Sequence, residues 1–206
     1  MLTRPWNVFL RSRIERMLTE KESVIDIGGG LRALSGRGNR QDPRRAWAIP
    51  FIEKTSYKIL DPIPDFNPDI VGDIHHLPFE DNSQDAYICI AVLEHVEDPI
   101  RAVSEMYRTL KPGGHCFIYV PFLYYYHAEV GYYKDFWRFT KDTANTLTRA
   151  FSSSEIVSVR GAIETWVRIS PLGRFSILGD IAYVLDCLTG KLATTQTSGY
   201  FIFAVK

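Results

Sequence analysis

The stretch Val24-Ile25-Asp26-Ile27-Gly28-Gly29-Gly30 constrains this chain more than any other. Its apolar run is too short for a helix and holds one acid before three consecutive glycines, the pattern of a buried parallel strand entering a tight turn. The glycines add nothing to side-chain packing. They let the backbone take positive φ and let a ligand lie against it with no β-carbon between, as a nucleotide-like group requires at the carboxyl end of a first strand.

Gly28-Gly29-Gly30-Leu31-Arg32-Ala33 also fits the loose dinucleotide pattern G-x-G-x-x-G/A, so the turn alone does not choose the ligand. A dinucleotide further asks for a helix N-terminus against its pyrophosphate and an acid about twenty residues on. The segment from Leu31 to Pro43 contains Gly36, Gly38, Asn39 and Pro43 and makes a poor continuous helix. The next acid closing a strand-like run is Asp61, in Tyr57-Lys58-Ile59-Leu60-Asp61-Pro62, which comes late for that fingerprint. S-adenosylmethionine has no phosphate and tolerates a weak helix start while still placing its ribose on a carboxylate. The spacing favours the methyl donor.

The chain has 206 residues, 46% hydrophobic and 13% aromatic, enough for one α/β domain, 1–206, with a full core. Its 24 basic and 24 acidic residues cancel, so no global field draws it to nucleic acid or anionic lipid. With no run of about 18 apolar residues and no basic-then-apolar leader, it reads as soluble and cytoplasmic. Cys89, Cys116 and Cys187 are far apart and odd in number; the first two sit in apolar runs and read as reduced core thiols. Trp6, Leu10, Ile14, Met17 and Leu18 fall at helical spacing and predict an amphipathic helix over residues 4–20, which packs on the sheet edge and in addition could cover a cofactor.

Between Arg32 and Arg45 stand Arg32, Arg37, Arg40, Arg44 and Arg45 against one acid, Asp42. This is either a solvated loop or a set of guanidinium forks for a phosphate or carboxylate on an acceptor. Asp61, ending a second strand over Tyr57–Leu60, either takes two ribose hydroxyls or starts an Asp-Pro turn with Pro62.

Three further pieces follow in order. Gly72-Asp73-Ile74-His75-His76-Leu77-Pro78-Phe79-Glu80-Asp81-Asn82-Ser83-Gln84-Asp85 leads into an apolar strand, then Leu93-Glu94-His95-Val96, and Lys111-Pro112-Gly113-Gly114 precedes a strand over His115–Val120. Together with Asp26-Ile27-Gly28-Gly29-Gly30, a match to D-x-G-x-G, they closely resemble the class I S-adenosylmethionine-dependent methyltransferases over about residues 23–121. The resemblance implies an α/β, Rossmann-like, doubly wound fold whose seven-stranded sheet is mostly parallel with the last strand antiparallel. It implies S-adenosyl-L-methionine as cofactor. Gly28 and Gly30 then lie along the methionyl part, Asp61 holds the ribose, Asp73 the adenine amino group, Ile74 the ring, and Ile90 and Ala91 flank the sulfonium; Asp26, Gly29, Pro62 and Glu94 complete the cofactor set. Glu94 and His95 are expected to begin the next helix, with His95 a packing or cofactor-side residue. His75 and His76 lack partners at ligand spacing, so no metal site is expected. Asp98–Leu110 reads as a core helix with Pro99 in its first turn and an apolar stripe of Ile100, Val103, Tyr107 and Leu110.

Past Val120 the chain should specify the acceptor. Residues 121–140 crowd aromatics, His127 and charges at the carboxyl edge of the sheet, where open α/β sheets bind ligands. Asp135-Phe136-Trp137-Arg138-Phe139-Thr140 is similar to the D-Y-W-R-F-T of methyltransferases from bacterial polysaccharide and glycolipid clusters, which implies O-methylation of a sugar-like, small-molecule or glycan acceptor. The alternative is that Trp137 and Arg138 anchor the loop and a helix over 141–151. His127 is the candidate base, since imidazole titrates near neutrality. Glu129 would orient it, Asp135 could replace it and Arg138 would steer an anionic acceptor.

Glu155–Val159 reads as a sixth strand and Gly199–Val205 as the last, inserted antiparallel between strands five and six. Residues 161–198 form an insertion whose apolar face is Phe175, Leu178, Ile181, Ala182, Leu185 and Leu188. It is too short to span a bilayer. It would cap the acceptor pocket, make a homodimer or, through residues 170–188, touch a membrane. The rival classes are a non-catalytic module that kept the fold, which sits badly with the retained Asp26, Gly28, Gly30, Asp61 and Asp73, and a nicotinamide-dependent oxidoreductase. A nucleic-acid partner is not expected, for want of net positive charge.

Overall fold

The computed structural model describes residues 3–36 and 41–206, so Arg37, Gly38, Asn39 and Arg40 of the arginine-rich segment lie outside the described residues. Seven strands form one sheet: β1 (Ser23–Ile27), β2 (Ser56–Asp61), β3 (Ile70–Val71), β4 (Gln84–Ile90), β5 (Leu110–Pro121), β6 (Ser153–Ser158) and β7 (Gly199–Val205). Their order is β3-β2-β1-β4-β5-β7-β6. Neighbours from β3 to β5 are parallel, and β7 runs antiparallel to both β5 and β6. This is the expected Rossmann-like arrangement with its reversed last strand.

Central strands here are apolar on both faces because both faces are covered. Tyr87 and Cys89 of β4 enter one core layer with Met106 and Phe139, while Ala86, Ile88 and Ile90 enter the other with Trp6, Leu10 and Ile14. The first helix, α1 (Pro5–Glu20), buries Trp6, Leu10, Ile14, Met17 and Leu18, the stripe its spacing predicts. Among its described residues the β1–β2 crossover has only a 3-10 turn (Pro43–Ala48) and the single-turn α2 (Ile49–Ile52), in keeping with its glycines and prolines. Cys89 and Cys116 are buried free thiols and Cys187 is exposed.

Several local expectations are corrected. Glu94 and His95 stand in a 3-10 turn, Leu93–His95, and not at a helix start; α3 (Pro99–Thr109) opens only at Pro99, where Asp98 accepts the Arg101 N–H at 3.0 Å. In α3 the buried residues are Pro99, Ala102, Val103, Met106 and Thr109, and Ile100 is 57% exposed, because Met106 rather than Ile100 faces the sheet. Leu110 and the lysine-proline-glycine turn already belong to β5, at a jump in register from Gln84↔Leu110 to Ala86↔His115. The helix after the acceptor loop, α4, stops at Leu147 (Lys141–Leu147).

The insertion folds as α5 (Ala162–Ile169) and α6 (Ser176–Leu188). Its apolar face turns outward: Ile177, Ile181, Val184, Leu185 and Leu188 are exposed, whereas Gly179, Ala182 and Asp186 face inward. Polar bonds decide this orientation. Asp186 caps α5 by accepting the Ile163 and Glu164 N–H groups, each at 2.8 Å, and Arg4 donates to Gly179 O at 3.2 Å and Asp180 at 2.9 Å. Among the described residues no helix is long and apolar enough to cross a membrane.

Candidate active site

The glycine turn leaves β1 with Gly28 at φ +70° and its N–H on Leu60 O at 2.7 Å, so β1 and β2 end side by side. Asp26 is fully buried beneath the turn. Its Oδ2 accepts the Leu31 N–H at 3.0 Å and the Tyr57 hydroxyl, while Oδ1 has no partner. Burial pushes its pKa up to about 7, against the Tyr57, Leu31 and Gly30 donors that favour the charge. Asp26 thus braces the turn and does not reach the cavity in front of it.

That cavity, about 410 Å³, is walled by Gly28 and Gly30, by Asp61, Pro62, Ile63 and Phe66 after β2, by Asp73, Ile74 and His75 after β3, and by Ile90, Ala91 and Val92 after β4. Asp61 is 5% exposed. Its Oδ1 accepts the Ile63 N–H at 2.8 Å and Oδ2 is left for a ligand; burial raises its pKa, with the Ile63 bond opposing. At Asp73 partial burial raises the pKa, but the His75 N–H at 2.9 Å and the His75 ring at 2.8 Å outweigh it and the net shift is downward. Ala91 stands at φ +56°, a strained conformation for a residue with a side chain and one found at sites where a ligand is held.

A second cavity, about 980 Å³, opens on the other side of Ala91. The two share Gly30, Arg32, Ile90, Ala91, His127 and Tyr133. Cations and rings dominate the larger one: Arg11, Arg32, Arg44, Arg45 and Arg160 with Trp6, Trp47, Tyr119, Tyr124 and Tyr125. Arg32 and Arg160 both hold left-handed backbone, at φ 57° and 73°. Arg44 is occupied by Asp42, through 2.9 Å bonds to each oxygen, and Arg160 reaches Ser198 at 2.8 Å. Burial lowers the Arg45 pKa, partly offset by Asp42.

Between the cavities the acceptor loop is tied to the turn after β4. Phe136 and Trp137 N–H groups donate to Glu94 O at 2.7 and 3.3 Å, the Trp137 indole donates to Val96 O at 2.9 Å, and the His95 ring nitrogen Nδ1 donates to Lys134 O at 2.6 Å. His127 Nε2 lies 3.7 Å from Glu94 Oε1, and its Nδ1 lies 3.2 Å from Asp135. Glu94 raises the His127 pKa against the cost of burial, with Asp135 adding to it.

A methyltransferase-domain family model matches residues 53–118. The SAM-dependent methyltransferase of Archaeoglobus fulgidus superposes with a TM-score of 0.59 at 15% identity, over 97% of this chain and 94% of that one. Residues 53–118 thus match a methyltransferase domain, and the chain takes the class I S-adenosylmethionine-dependent methyltransferase fold. The ubiquinone/menaquinone biosynthesis C-methyltransferase UbiE of Bartonella quintana is 35% identical over 123 residues, 55% of this chain and 46% of that protein. Phosphoethanolamine N-methyltransferase 2 of Haemonchus contortus, in complex with S-adenosyl-L-methionine, superposes with a TM-score of 0.53 at 15% identity over 98% of this chain and 52% of that one. The matches span half or less of the curated relatives' own lengths.

The cavity of this methyltransferase domain fits the cofactor. A buried carboxylate oxygen at Asp61 is aimed into it, the glycine turn offers backbone without side chains, and Ile63, Phe66 and Ile74 provide an apolar slot for a flat ring. Of the expected cofactor residues, Gly28, Gly30, Asp61, Pro62, Asp73, Ile74, Ile90 and Ala91 line it; Asp26 and Gly29 lie behind the turn, and Glu94 faces the second cavity. Of the expected catalytic residues, His127 lines both cavities, whereas Asp135 is buried and bound by Arg138 at 2.6 and 2.7 Å. Residues 161–198 are not among the lining of either cavity. Tyr119, Arg11 and Arg160 escaped the sequence reading; for Arg160 a signal existed, since it stands two residues past the carboxyl end of β6.

Proposed function

We propose that this domain transfers the methyl group of S-adenosylmethionine to a hydroxyl oxygen of a small acceptor that combines a sugar-like ring with an anionic group. The observation that carries this reading is the junction of the two cavities at Ala91, His127 and Tyr133: a cofactor in the smaller one directs its sulfonium toward an acceptor in the larger. Aromatic faces suit sugar rings, and the arginines suit a phosphate or carboxylate. The S–CH3 bond breaks with its electron pair left on sulfur, the methyl group bonds to the acceptor oxygen, and the hydroxyl proton passes to water in the larger cavity beside Glu94 and His127. Alignment supplies most of the acceleration, because the methyl is already activated.

The test is to incubate the full chain with S-adenosylmethionine and paired acceptors, nucleotide sugars or sugar phosphates beside their neutral sugars, and to read methylated product by mass. Transfer to the anionic member of a pair supports the reading. A protein that binds S-adenosylhomocysteine yet methylates a quinone-type ring carbon, and no hydroxyl, would replace it.

A further inference from the structure

Two histidines and a carboxylate converge at the junction of the cavities, and their surroundings leave the same kind of atom free on each. His95 Nδ1 is fixed by Lys134 O at 2.6 Å, and His127 Nδ1 by Tyr125 O at 3.1 Å and Asp135 at 3.2 Å. A ring that donates Nδ1–H to a carbonyl or carboxylate presents a bare Nε2 lone pair, which is how metal-binding histidines are oriented. Both Nε2 atoms then point at one place: Glu94 Oε1 lies 4.0 Å from that of His95 and 3.7 Å from that of His127. Glu94 is 1% exposed and its second oxygen, Oε2, has no hydrogen-bond partner. A buried carboxylate so poorly satisfied is costly unless a cation faces it.

We infer that Glu94, His95 and His127 form a binding site for a divalent transition-metal cation of the zinc class. The three donor atoms lie within 4.8 Å of one another, and side-chain adjustments of under about 1 Å bring them to the roughly 2.0–2.2 Å metal–ligand distances of such sites. Two imidazoles and one carboxylate suit zinc, cobalt or nickel better than magnesium or calcium, which take oxygen. Three protein ligands leave one position open at the junction, where Glu94 and His127 line the larger cavity and His95 and His127 the smaller. The ligand for that position is an oxygen of the acceptor, so the site deepens the methyl-transfer reading and rests on it for this consequence alone. The cation holds and acidifies the hydroxyl, whose proton goes to solvent in the open cavity rather than directly to His127.

The full chain, stripped by dialysis against a chelator, is titrated with Co2+ and with Zn2+. One equivalent should bind, Co2+ should develop the visible absorption of a protein-bound ion, and Zn2+ should displace it. Glu94→Gln and His95→Ala should each weaken binding at least ~10-fold, while His76→Ala, exposed and outside both cavities, leaves it unchanged. Calorimetry with S-adenosylhomocysteine on every variant shows that the fold and cofactor site survive, and keeps a failure of the methyl-transfer reading distinct from a failure of this one. A cobalt spectrum identical to that in buffer, equal affinity in Glu94→Gln and wild type, or loss of binding in His76→Ala overturns the proposal.

Discussion

Gly30 crosses Ile90 so closely that a β-carbon on the glycine would stand 2.2 Å from the Ile90 carbonyl oxygen. The missing side chain therefore serves the packing of the β1 turn on the end of β4 as well as the approach of a ligand. Gly30→Ala should push the turn off β4 and reduce S-adenosylhomocysteine affinity by about 100-fold or more, because backbone cannot yield as a side-chain tip does. Gly36→Ala is the control: its backbone is left-handed at φ +69° but nothing lies within 4 Å, so it should cost about 1 kcal/mol of stability and little affinity. Calorimetry and thermal melts on the two variants separate close approach from backbone strain.

Asp61 should account for more of the cofactor's binding than Asp73. The first is nearly buried with one oxygen uncommitted, so its bonds to ribose hydroxyls form away from water; the Asp73 side chain is 59% exposed and already holds His75. Asp61→Ala should weaken S-adenosylhomocysteine binding ~10–100-fold, corresponding to one or two charge-assisted hydrogen bonds, and Asp73→Ala by less. Equal losses in titration calorimetry would contradict this ranking.

The fold was legible where a run of residues had a single physical solution. Val24–Ile27 is apolar on both faces except for the buried Asp26 beneath the turn, and reads as a central strand running into a glycine turn. Periodicity grouped Ile181, Leu185 and Leu188 of α6 on one face, but placed the buried Ala182 with them and missed Ile177 and Val184, and it did not show which way that face turns. Asp186 capping α5 and Arg4 gripping Gly179 and Asp180 set that, through contacts that no local pattern encodes. The same limit hid the true neighbours of Glu94. Its family position suggested a cofactor contact, whereas the fold brings His127 from the distant acceptor loop to its carboxylate, and the Asp-Phe-Trp segment proves to be the clamp that holds the loop there.

Two buried groups should give stability opposing dependences on pH. Asp26 titrates at about 7 in the folded chain against 3.8 ordinarily, chiefly through burial, so its contribution is fully present below about pH 3.8 and is lost as pH rises to 7. His115 titrates at about 4 against 6.5, through burial and then the charges of Lys21 and Arg16, so its contribution is present above about pH 6.5 and is lost as pH falls toward 4. Between pH 4 and 6.5 the two slopes, each up to about 1.4 kcal/mol per pH unit, largely cancel. Asp26→Asn should therefore make stability rise with pH across that window relative to wild type, and His115→Phe should make it fall. Urea midpoints at half-unit steps of pH check both signs; parallel curves for the three proteins would refute them.

Asp135 and Arg138 decide whether the acceptor loop uses its arginine to bind substrate or to hold its own shape. Asp135 has no exposed side-chain surface, and its pKa is held down at about 2, by Arg138 first, with the His127 N–H helping and burial opposing. Arg138 also donates to the carbonyls of Tyr124 at 3.1 Å and Tyr125 at 2.7 Å, so one guanidinium closes the loop that carries His127. Arg138→Met should cost about 3–5 kcal/mol, since it strands a buried carboxylate, and should lower kcat as His127 loses its seat. Adding Asp135→Asn removes the stranded charge and should recover much of the stability without restoring turnover. An arginine that only steers an anionic acceptor would behave otherwise: Arg138→Met would raise KM and leave the urea midpoint where it was.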